Sequence, residues 1–216
     1  MKIVGADGLD GLTLHRLAAD LGYVPAALYR YFDSKDALLA ALQRRTIEEL
    51  HERFRREQST LGDRLPAPGP GPGERALLSL LAAADFYLRL PGRLPEHFRL
   101  VSSMLGDPRA LIEHGTALVN AQALLGFLGD VRELFEQAAT AGALAPGRAF
   151  DRTLAYWSAL HGVATLDKLV RFDAATFDVQ RLGALTARAL LAGWGADPGS
   201  LDAAGRALSH AAPPAD

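Results

Sequence analysis

The sequence predicts an all-α protein with an amino-terminal helix-turn-helix domain and a larger helical carboxy-terminal domain. Apolar residues recur at spacings of three and four along almost the whole chain, and no convincing segment alternates apolar and polar residues as a strand does. The chain also contains a proline- and glycine-rich segment, PAPGPGPG at 66–73, which cannot continue a helix. These observations predict domains at 1–58 and 74–212, joined by a linker at 59–73.

Composition narrows the class of protein. The 216 residues are 49% hydrophobic and 22% charged, which excludes wholesale disorder. The absence of cysteine excludes a disulfide framework, a cysteine zinc site and a thiol nucleophile. A net charge of −2 gives no sign of a polyanionic partner, so a nucleic-acid partner must be argued from local geometry.

The sequence indicates neither secretion nor a membrane. Asp7 and Asp10 lie where a signal peptide needs its apolar core. The longest stretch without a charged residue or histidine, 115–129, is shorter than the roughly 20 apolar residues of a membrane span. We therefore expect a cytoplasmic protein with no membrane partner.

Three helices are predicted before the linker. Thr13 suits the N-cap of the first, because its hydroxyl can accept an exposed backbone N–H. Gly22 suits the left-handed residue that ends it. Pro25 suits the first position of a second helix of about eight residues, which ends at Phe32. A third helix is predicted at 34–58, with Ser34 as its cap.

The carboxy-terminal part carries helical periodicity as well. Gly142, Pro146 and the 173–176 segment mark breaks between elements. The predicted helices are at 74–90, 95–105, 108–126, 128–141, 147–171 and 176–194, with a short tail helix at 199–210.

A helical wheel divides the second predicted helix into two sides. Leu28 and Phe32 point inward, whereas Ala26, Ala27 and Arg30 point outward. Small side chains allow a helix to approach the floor of the DNA major groove, and Arg30 can reach a phosphate or a guanine edge.

Tyrosines flank this outward side. The hydroxyls of Tyr29 and Tyr31 suit phosphate oxygens, as does Lys35 at the start of the next helix. The alternative is ordinary packing, because short amphipathic helix pairs occur in many all-α proteins and tyrosines are often half-buried.

One segment, from about residue 5 to 45, combines several signals at fixed offsets. It reads Gly-Leu-Thr-Leu-x-x-Leu-Ala-x-x-Leu-Gly at 11–22, then Leu28-Tyr29-x-Tyr31-Phe32-x-Ser34-Lys35-Asp36-x-Leu38. This pattern resembles the DNA-binding domain of TetR/AcrR-type transcriptional regulators. The resemblance implies an all-helical homodimer with operator DNA as its partner. It further implies phosphate-contacting positions at Thr13, Tyr29, Tyr31 and Lys35, and base-reading positions at Pro25, Ala26 and Ala27.

Two departures from the family pattern stand out. Val24 occupies the position where the family usually has a serine or threonine that caps the recognition helix. The family also has a full helix before this motif, whereas few apolar residues precede Thr13 here. We expect this first helix to be truncated, through a misassigned start codon or a trimmed sequence.

The carboxy-terminal domain is expected to hold a dimer interface. Residues 151–171 resemble the penultimate helix in one branch of these regulators. Two apolar stripes could form half of a four-helix interface; the alternative is that both belong to the core of one chain. The predicted interface residues are Leu154, Leu160, Leu182, Leu185 and Ala189.

The resemblance also implies a ligand pocket in this domain. A set of aromatic residues with a few polar tips suits an apolar or aromatic effector, although each member taken alone is more often plain core than a ligand contact. The candidate lining residues are Phe86, Tyr87, Phe98, Met104, His114, Phe127, Trp157 and His161.

Catalytic and metal-binding signals are weak. The six histidines include no i, i+4 pair and no HExxH motif. His97, His114 and His161 could converge on a metal, but satisfied or pocket histidines are the favoured interpretation. No GxSxG, P-loop or dinucleotide fingerprint is present. We expect no catalytic residue, no metal ligand and no cofactor.

These observations predict a homodimeric repressor that a small molecule releases from a palindromic operator. Two other classes stay open. One is a small-molecule-binding protein of the same fold that has lost operator binding. The other is an all-α enzyme, which the lack of a catalytic set disfavours.

Overall fold

The computed structural model describes residues 11–65, 69–106 and 114–211, with side chains throughout except at 104–106 and 114–119. Within these ranges the regular secondary structure is entirely helical, as the sequence predicts. The expected truncation before Thr13 concerns residues that lie almost wholly outside the described ranges. The first helices are α1 (Leu14–Leu21), α2 (Pro25–Tyr29), α3 (Lys35–Leu61), α4 (Pro72–Leu88), α5 (Leu90–Arg93) and α6 (Pro95–Gly106).

The remaining helices differ from the predicted ones in two places. They are α7 (His114–Thr140), α8 (Ala149–Ala164), α9 (Val179–Gly193) and α10 (Pro198–Ala211). The break predicted between 126 and 128 is wrong, because α7 continues through Gly126 and Gly129; a glycine inside a helix costs only about 1 kcal/mol. The helix predicted at 147–171 ends earlier, and a 3-10 turn at Thr165–Leu169 follows it.

The described residues form two compact units. The first contains the chain up to His51 together with Arg93–Gly126, and the second contains Glu52–Gly92 and the chain from Phe127 onward. The helices α3 and α7 each contribute to both units. These units do not follow the predicted boundaries at 58 and 74, because periodicity shows that a helix has an apolar side but not which core that side completes.

The first unit has a core drawn from four helices. Leu14 and Ala18 of α1, Leu28 of α2 and Leu38 of α3 form one buried cluster. Leu100 of α6 joins this cluster and is 0% exposed. The helix-turn-helix is therefore packed against an apolar side chain that lies far later in the sequence, beyond the predicted linker.

A buried polar network lies in the same unit. The Gln43 amide, 2% exposed, donates to Ser103 Oγ at 3.2 Å and accepts from Asn120 Nδ2 at 3.1 Å. Ser103 in turn donates to the Leu100 carbonyl at 2.7 Å. These bonds join α3, α6 and α7, and satisfied partners remove most of the cost of burying amides.

The second unit is built around α4. This helix packs against α8, α9 and α10. Tyr156 of α8 donates its hydroxyl to the Leu80 carbonyl at 2.9 Å, and Gln180 of α9 donates to the Leu88 carbonyl at 2.9 Å. These side-chain hydrogen bonds to the α4 backbone thus fix the positions of α8 and α9 along α4.

Gly183 marks a close approach of α9 to α4, and it provides a stability test. A Cβ at Gly183 would overlap the Leu88 side chain, which is only 3% exposed and cannot move into solvent. We expect Gly183→Ala to destabilise the protein by about 1–3 kcal/mol, measured by thermal unfolding. In the control, Gly126→Ala in α7, the new methyl meets nothing within 4 Å, so helix propensity should raise the melting temperature slightly. Equal effects of the two substitutions would contradict this packing.

Candidate nucleic-acid interface

Local capping interactions place α1 and α2. Thr13 Oγ1 accepts the Arg16 N–H at 3.1 Å, which matches its predicted capping role. Gly22 ends α1 with a φ of 72°, and the following N–H, of Tyr23, donates to the Ala18 carbonyl at 2.8 Å. The left-handed conformation that turns the chain toward α2 is one that glycine adopts without a steric penalty.

The second helix is shorter than predicted. It spans Pro25–Tyr29, and the N–H groups of Tyr31 and Phe32 both donate to the Leu28 carbonyl, at 2.9 and 3.0 Å. Val24 makes no side-chain cap, as its lack of a polar atom requires, and Pro25 opens the helix at a position where no N–H is needed.

The inward side of α2 is confirmed by burial. Leu28 is 8% exposed and belongs to the core of the first unit, and Phe32 packs against that core. Leu28 within α2 and Phe32 just beyond its end are both held by this core, so the opposite side of α2 faces away from that core.

The predicted outward side is exposed. Ala26 and Arg30 are exposed, and Ala27 is half-buried. Tyr29 and Tyr31 are 51% and 77% exposed. These fractions disfavour the packing alternative for both rings, because a tyrosine held by ordinary core packing hides most of its surface.

The remaining two predicted contact residues lie at helix ends. Thr13 is exposed, and while its oxygen caps α1, its hydroxyl hydrogen can still donate. Lys35 is half-buried at the first residue of α3. Ser34 precedes it and accepts the Ala37 N–H at 3.1 Å, which confirms the predicted cap.

Sequence reasoning missed an exposed apolar group around the turn. Leu21 is 55% exposed, Tyr23 is 62% exposed and Val24 is 69% exposed. The signal was present, because polar residues usually occupy such a turn and here three apolar residues surround Gly22.

The predicted pocket residues fall into separate groups. In the second unit, Phe86 and Phe127 pack with Phe54, at ring-centroid distances of 5.6 Å for Phe54–Phe86 and 5.1 Å for Phe54–Phe127. Phe98 belongs to the first unit and is half-buried. The side chains of Met104 and His114 lie outside the described residues.

The other predicted pocket residues form a hydrogen-bonded cluster. Tyr87 Oη lies 2.7 Å from His161 Nδ1, and the ring centroids of Trp157 and His161 are 6.1 Å apart. Burial raises the pKa of Tyr87 and lowers the pKa of His161. Both groups are therefore neutral near pH 7, and one hydrogen bond between two neutral side chains joins them.

Two grooves of the second unit have other linings. One, of about 480 Å³, is lined by Pro72, Glu133, Glu136, Gln137, Thr140 and Ala141. The other lies beside Arg89, which pairs with Glu57 at 2.6 Å and with Asp85 at 2.8 Å. Neither contains a predicted pocket residue, so the predicted effector site stays a prediction.

The lowered pKa of His161 gives the stability of the protein a pH dependence. Its pKa in the folded protein lies below the ordinary 6.5, so the unfolded chain binds the proton first and acid favours unfolding. We expect the melting temperature to fall as the pH drops from about 6.5 toward about 5. Carboxylates with a lowered pKa, such as those of Glu49 and Asp173, titrate below this window.

The variant His161→Gln tests this assignment, because its amide oxygen can still accept from Tyr87. Its melting temperature should change less across the window than that of the unsubstituted protein. An unaltered slope in His161→Gln would assign the pH dependence to other groups.

The predicted interface residues do not all share one environment. On α9, Leu185 is 62% exposed, Ala189 is exposed and Leu182 is half-buried. On α8, Leu154 is 37% exposed. Leu160 is only 3% exposed, so it belongs to the core of its own chain, and its predicted place in the dimer interface is wrong.

Residues 11–65, 69–106 and 114–211 contain no group of three histidine, aspartate or glutamate side chains that could hold a metal ion. Within the same ranges, no helix has both the length and the apolar character needed to cross a membrane.

Comparison with known proteins agrees with this arrangement. Residues 1–42 match the family model of bacterial regulatory proteins of the tetR family. No curated protein matches the chain. A protein of unknown function from Rhodococcus sp. RHA1 has a similar structure, with 22% identity, a TM-score of 0.67, and coverage of 89% of this chain and 90% of that one.

Two transcriptional regulators have a similar fold. The transcriptional regulator FadR from Bacillus subtilis, solved in complex with stearoyl-CoA, is 12% identical with a TM-score of 0.66, covering 89% of this chain and 94% of that one. The TetR-family regulator PfmR from Thermus thermophilus is 15% identical with a TM-score of 0.55, covering 88% and 93%. In sequence, residues 1–42 therefore match the tetR family, and the chain shares its helical fold with these two regulators.

Proposed function

We propose that the protein is a homodimeric repressor that a small molecule releases from a palindromic operator. The observation that carries the proposal is the exposed outward side of α2, where Ala26 and Arg30 are accompanied by the exposed rings of Tyr29 and Tyr31. The proposal assigns no catalytic step to the chain, and the protein would act in the cytoplasm, where a bacterial operator lies.

The outward side divides into two kinds of contact. Hydroxyl and ammonium groups bind phosphate oxygens and fix the position of the helix without reading sequence. The proposed phosphate contacts are Thr13, Tyr29, Tyr31 and Lys35. Side chains at the major-groove face of α2 read the bases. The proposed base contacts are Pro25, Ala26, Ala27 and Arg30.

Two copies of α2 are needed for a palindrome. Successive major grooves on one side of DNA lie about 34 Å apart, so a two-fold dimer must present two recognition helices at that spacing. Support for a dimer comes from the exposed apolar residues of α8 and α9, namely Leu154, Leu185 and Ala189. These two helices pack on each other, so their exposed residues can form half of a four-helix interface.

The proposed effector is an apolar or aromatic compound bound in the second unit. Aromatic side chains are concentrated there, around Phe86 and Trp157. The Bacillus subtilis regulator with the same fold was solved with stearoyl-CoA, which makes that compound a reasonable first probe. Release requires that the effector bind the DNA-incompetent state more tightly, because equal affinity for both states shifts no population.

Selection from a pool of randomised duplexes tests the DNA-binding part. The full chain should enrich a sequence with two-fold symmetry and half-sites about one helical turn apart. A bound effector should then weaken the selected duplex by about 5–150-fold, and the duplex should weaken the effector by the same factor. A pool that stays unenriched after repeated rounds would refute operator binding.

Variants at the phosphate positions should weaken binding to every sequence. Tyr29→Phe removes only a hydroxyl, so affinity should fall while the salt dependence stays unchanged. Lys35→Ala removes a charge, so the slope of log affinity against log salt should flatten by about 1 per subunit. Arg148→Ala serves as the control, because that side chain is 86% exposed and lies in the second unit.

These titrations use the selected duplex and an unrelated one, with anisotropy as the readout. The ratio of the two affinities should survive both substitutions, since phosphate contacts carry no sequence information. If the affinity of Lys35→Ala depended on salt as steeply as that of the unsubstituted protein, Lys35 would not be a phosphate contact.

A second candidate is a small-molecule-binding protein that has lost operator binding. The observation in its favour is Val24, which leaves α2 without a side-chain cap; such a cap is typically worth about 1 kcal/mol. The variant Val24→Ser discriminates the two candidates. On an unrelated duplex, which offers no specific base contact, it should tighten binding modestly in a working regulator and should create no binding in a protein that has lost it.

A further inference from the structure

The outward side chains at the start of α2 are made only of carbon. Val24 is 69% exposed, Ala26 is exposed and Ala27 is half-buried. None of these side chains has a hydrogen-bond donor or acceptor, and Pro25 between them has no backbone N–H either. The surface lies inside the 42-residue match to the tetR family, and the proposed function places duplex DNA against it.

In the major groove, all four base pairs are distinguished by donors and acceptors, and thymine alone adds an apolar group, its C5 methyl. A carbon-only surface can gain free energy from that methyl and from no other feature of a base edge. Against guanine or cytosine it would cover donors and acceptors without replacing their bonds to water, which is unfavourable.

We propose that Val24, Ala26 and Ala27 read thymine methyl groups, so that each operator half-site carries thymine opposite the start of α2. This inference rests on the proposed function and specifies the base that this part of α2 recognises. The short side chains at 26 and 27 permit close approach of the helix, and the longer valine extends the same surface toward the turn.

Recognition of bases by hydrogen bonds is expected at the carboxyl-terminal end of α2. Arg30 is exposed at the carboxyl-terminal cap of α2, about one helical turn past Ala26. An arginine donates to guanine O6 and N7. We therefore expect a half-site in which thymine and guanine lie at separate positions, read by separate parts of α2.

Uracil substitution in the selected operator tests the inference, because deoxyuridine differs from thymidine only by the C5 methyl. Each thymine of the half-site is replaced in turn, in both halves of the palindrome. Loss of one buried methyl corresponds to about a fourfold change in affinity. At one or more positions the symmetric replacement should therefore weaken binding by about 16-fold for the dimer.

Protein variants separate a methyl contact from an effect on DNA shape. Val24→Ser removes both valine methyls and adds a capping hydroxyl, so it should fold and should abolish the penalty at the thymine that Val24 contacts. Ala26→Ser should do the same at its own position. Arg30→Ala should weaken binding overall but keep every uracil penalty.

Each result has a defined meaning. Uracil penalties below about twofold at all thymines would overturn the inference, while a selected operator would leave the proposed function intact. Penalties that persist in Val24→Ser and Ala26→Ser would also overturn it, because they would report DNA shape. Failure to select any duplex would refute the proposed function and this inference with it.

Discussion

A carboxylate at Leu185 is expected to split the proposed dimer and to abolish tight operator binding. The Leu185→Glu side chain would place an unpaired charge in an apolar interface, which strongly opposes association. Without bivalent attachment, operator affinity should fall by about 10²–10⁴-fold. Sedimentation velocity at micromolar concentration measures the first effect, and anisotropy titration with the selected duplex measures the second.

The same substitution at two other leucines gives matched controls. Leu125 is 52% exposed on α7, so Leu125→Glu should remain dimeric and should bind DNA. Leu160 is 3% exposed, so Leu160→Glu should unfold the chain, which circular dichroism distinguishes from clean dissociation. A folded Leu185→Glu variant that sediments as a dimer would place the interface on another surface.

Truncation of Leu100 is expected to destabilise the helix-turn-helix even though it lies far from it in sequence. Leu100 is 0% exposed and joins the cluster formed by Leu14, Leu28 and Leu38. Removing a buried leucine side chain in this way costs about 2–5 kcal/mol. Leu100→Ala should therefore accelerate hydrogen exchange at the amides of α1 and α2 and weaken operator binding.

Leu125→Ala is the control, because truncation of a half-exposed leucine usually changes stability by no more than about 0.5 kcal/mol. Global unfolding measured by denaturant should show a smaller difference for this variant than for Leu100→Ala. If Leu100→Ala left exchange in α1 and α2 unchanged, the amino-terminal helices would be stable without α6, as the predicted boundary at 58 implies.

The sequence correctly predicted the local features of the candidate nucleic-acid interface. The caps at Thr13 and Ser34, the turn at Gly22 and the inward side of α2 all depend on residues within a few positions of each other. Such features follow from backbone sterics and short-range hydrogen bonds, so periodicity and capping rules suffice for them.

The features that the sequence did not predict depend on distant contacts. The Gln43–Asn120 hydrogen bond and the burial of Leu100 bring α6 and α7 into the first unit, and no local pattern encodes them. Leu160 lies on an apolar stripe like those of Leu154 and Leu185, yet it faces the core of its own chain. A helical wheel identifies an apolar stripe but cannot distinguish a core from an interface when both are apolar.

The central claim is that the outward side of α2 recognises a specific DNA sequence. The most direct test is the ratio of two dissociation constants for the full chain at physiological salt, one for the selected palindrome and one for a scrambled duplex of equal length. The account predicts that the palindrome binds more tightly by a factor of at least about 10³. Equal affinity for the two duplexes would contradict it and would favour the small-molecule-binding alternative.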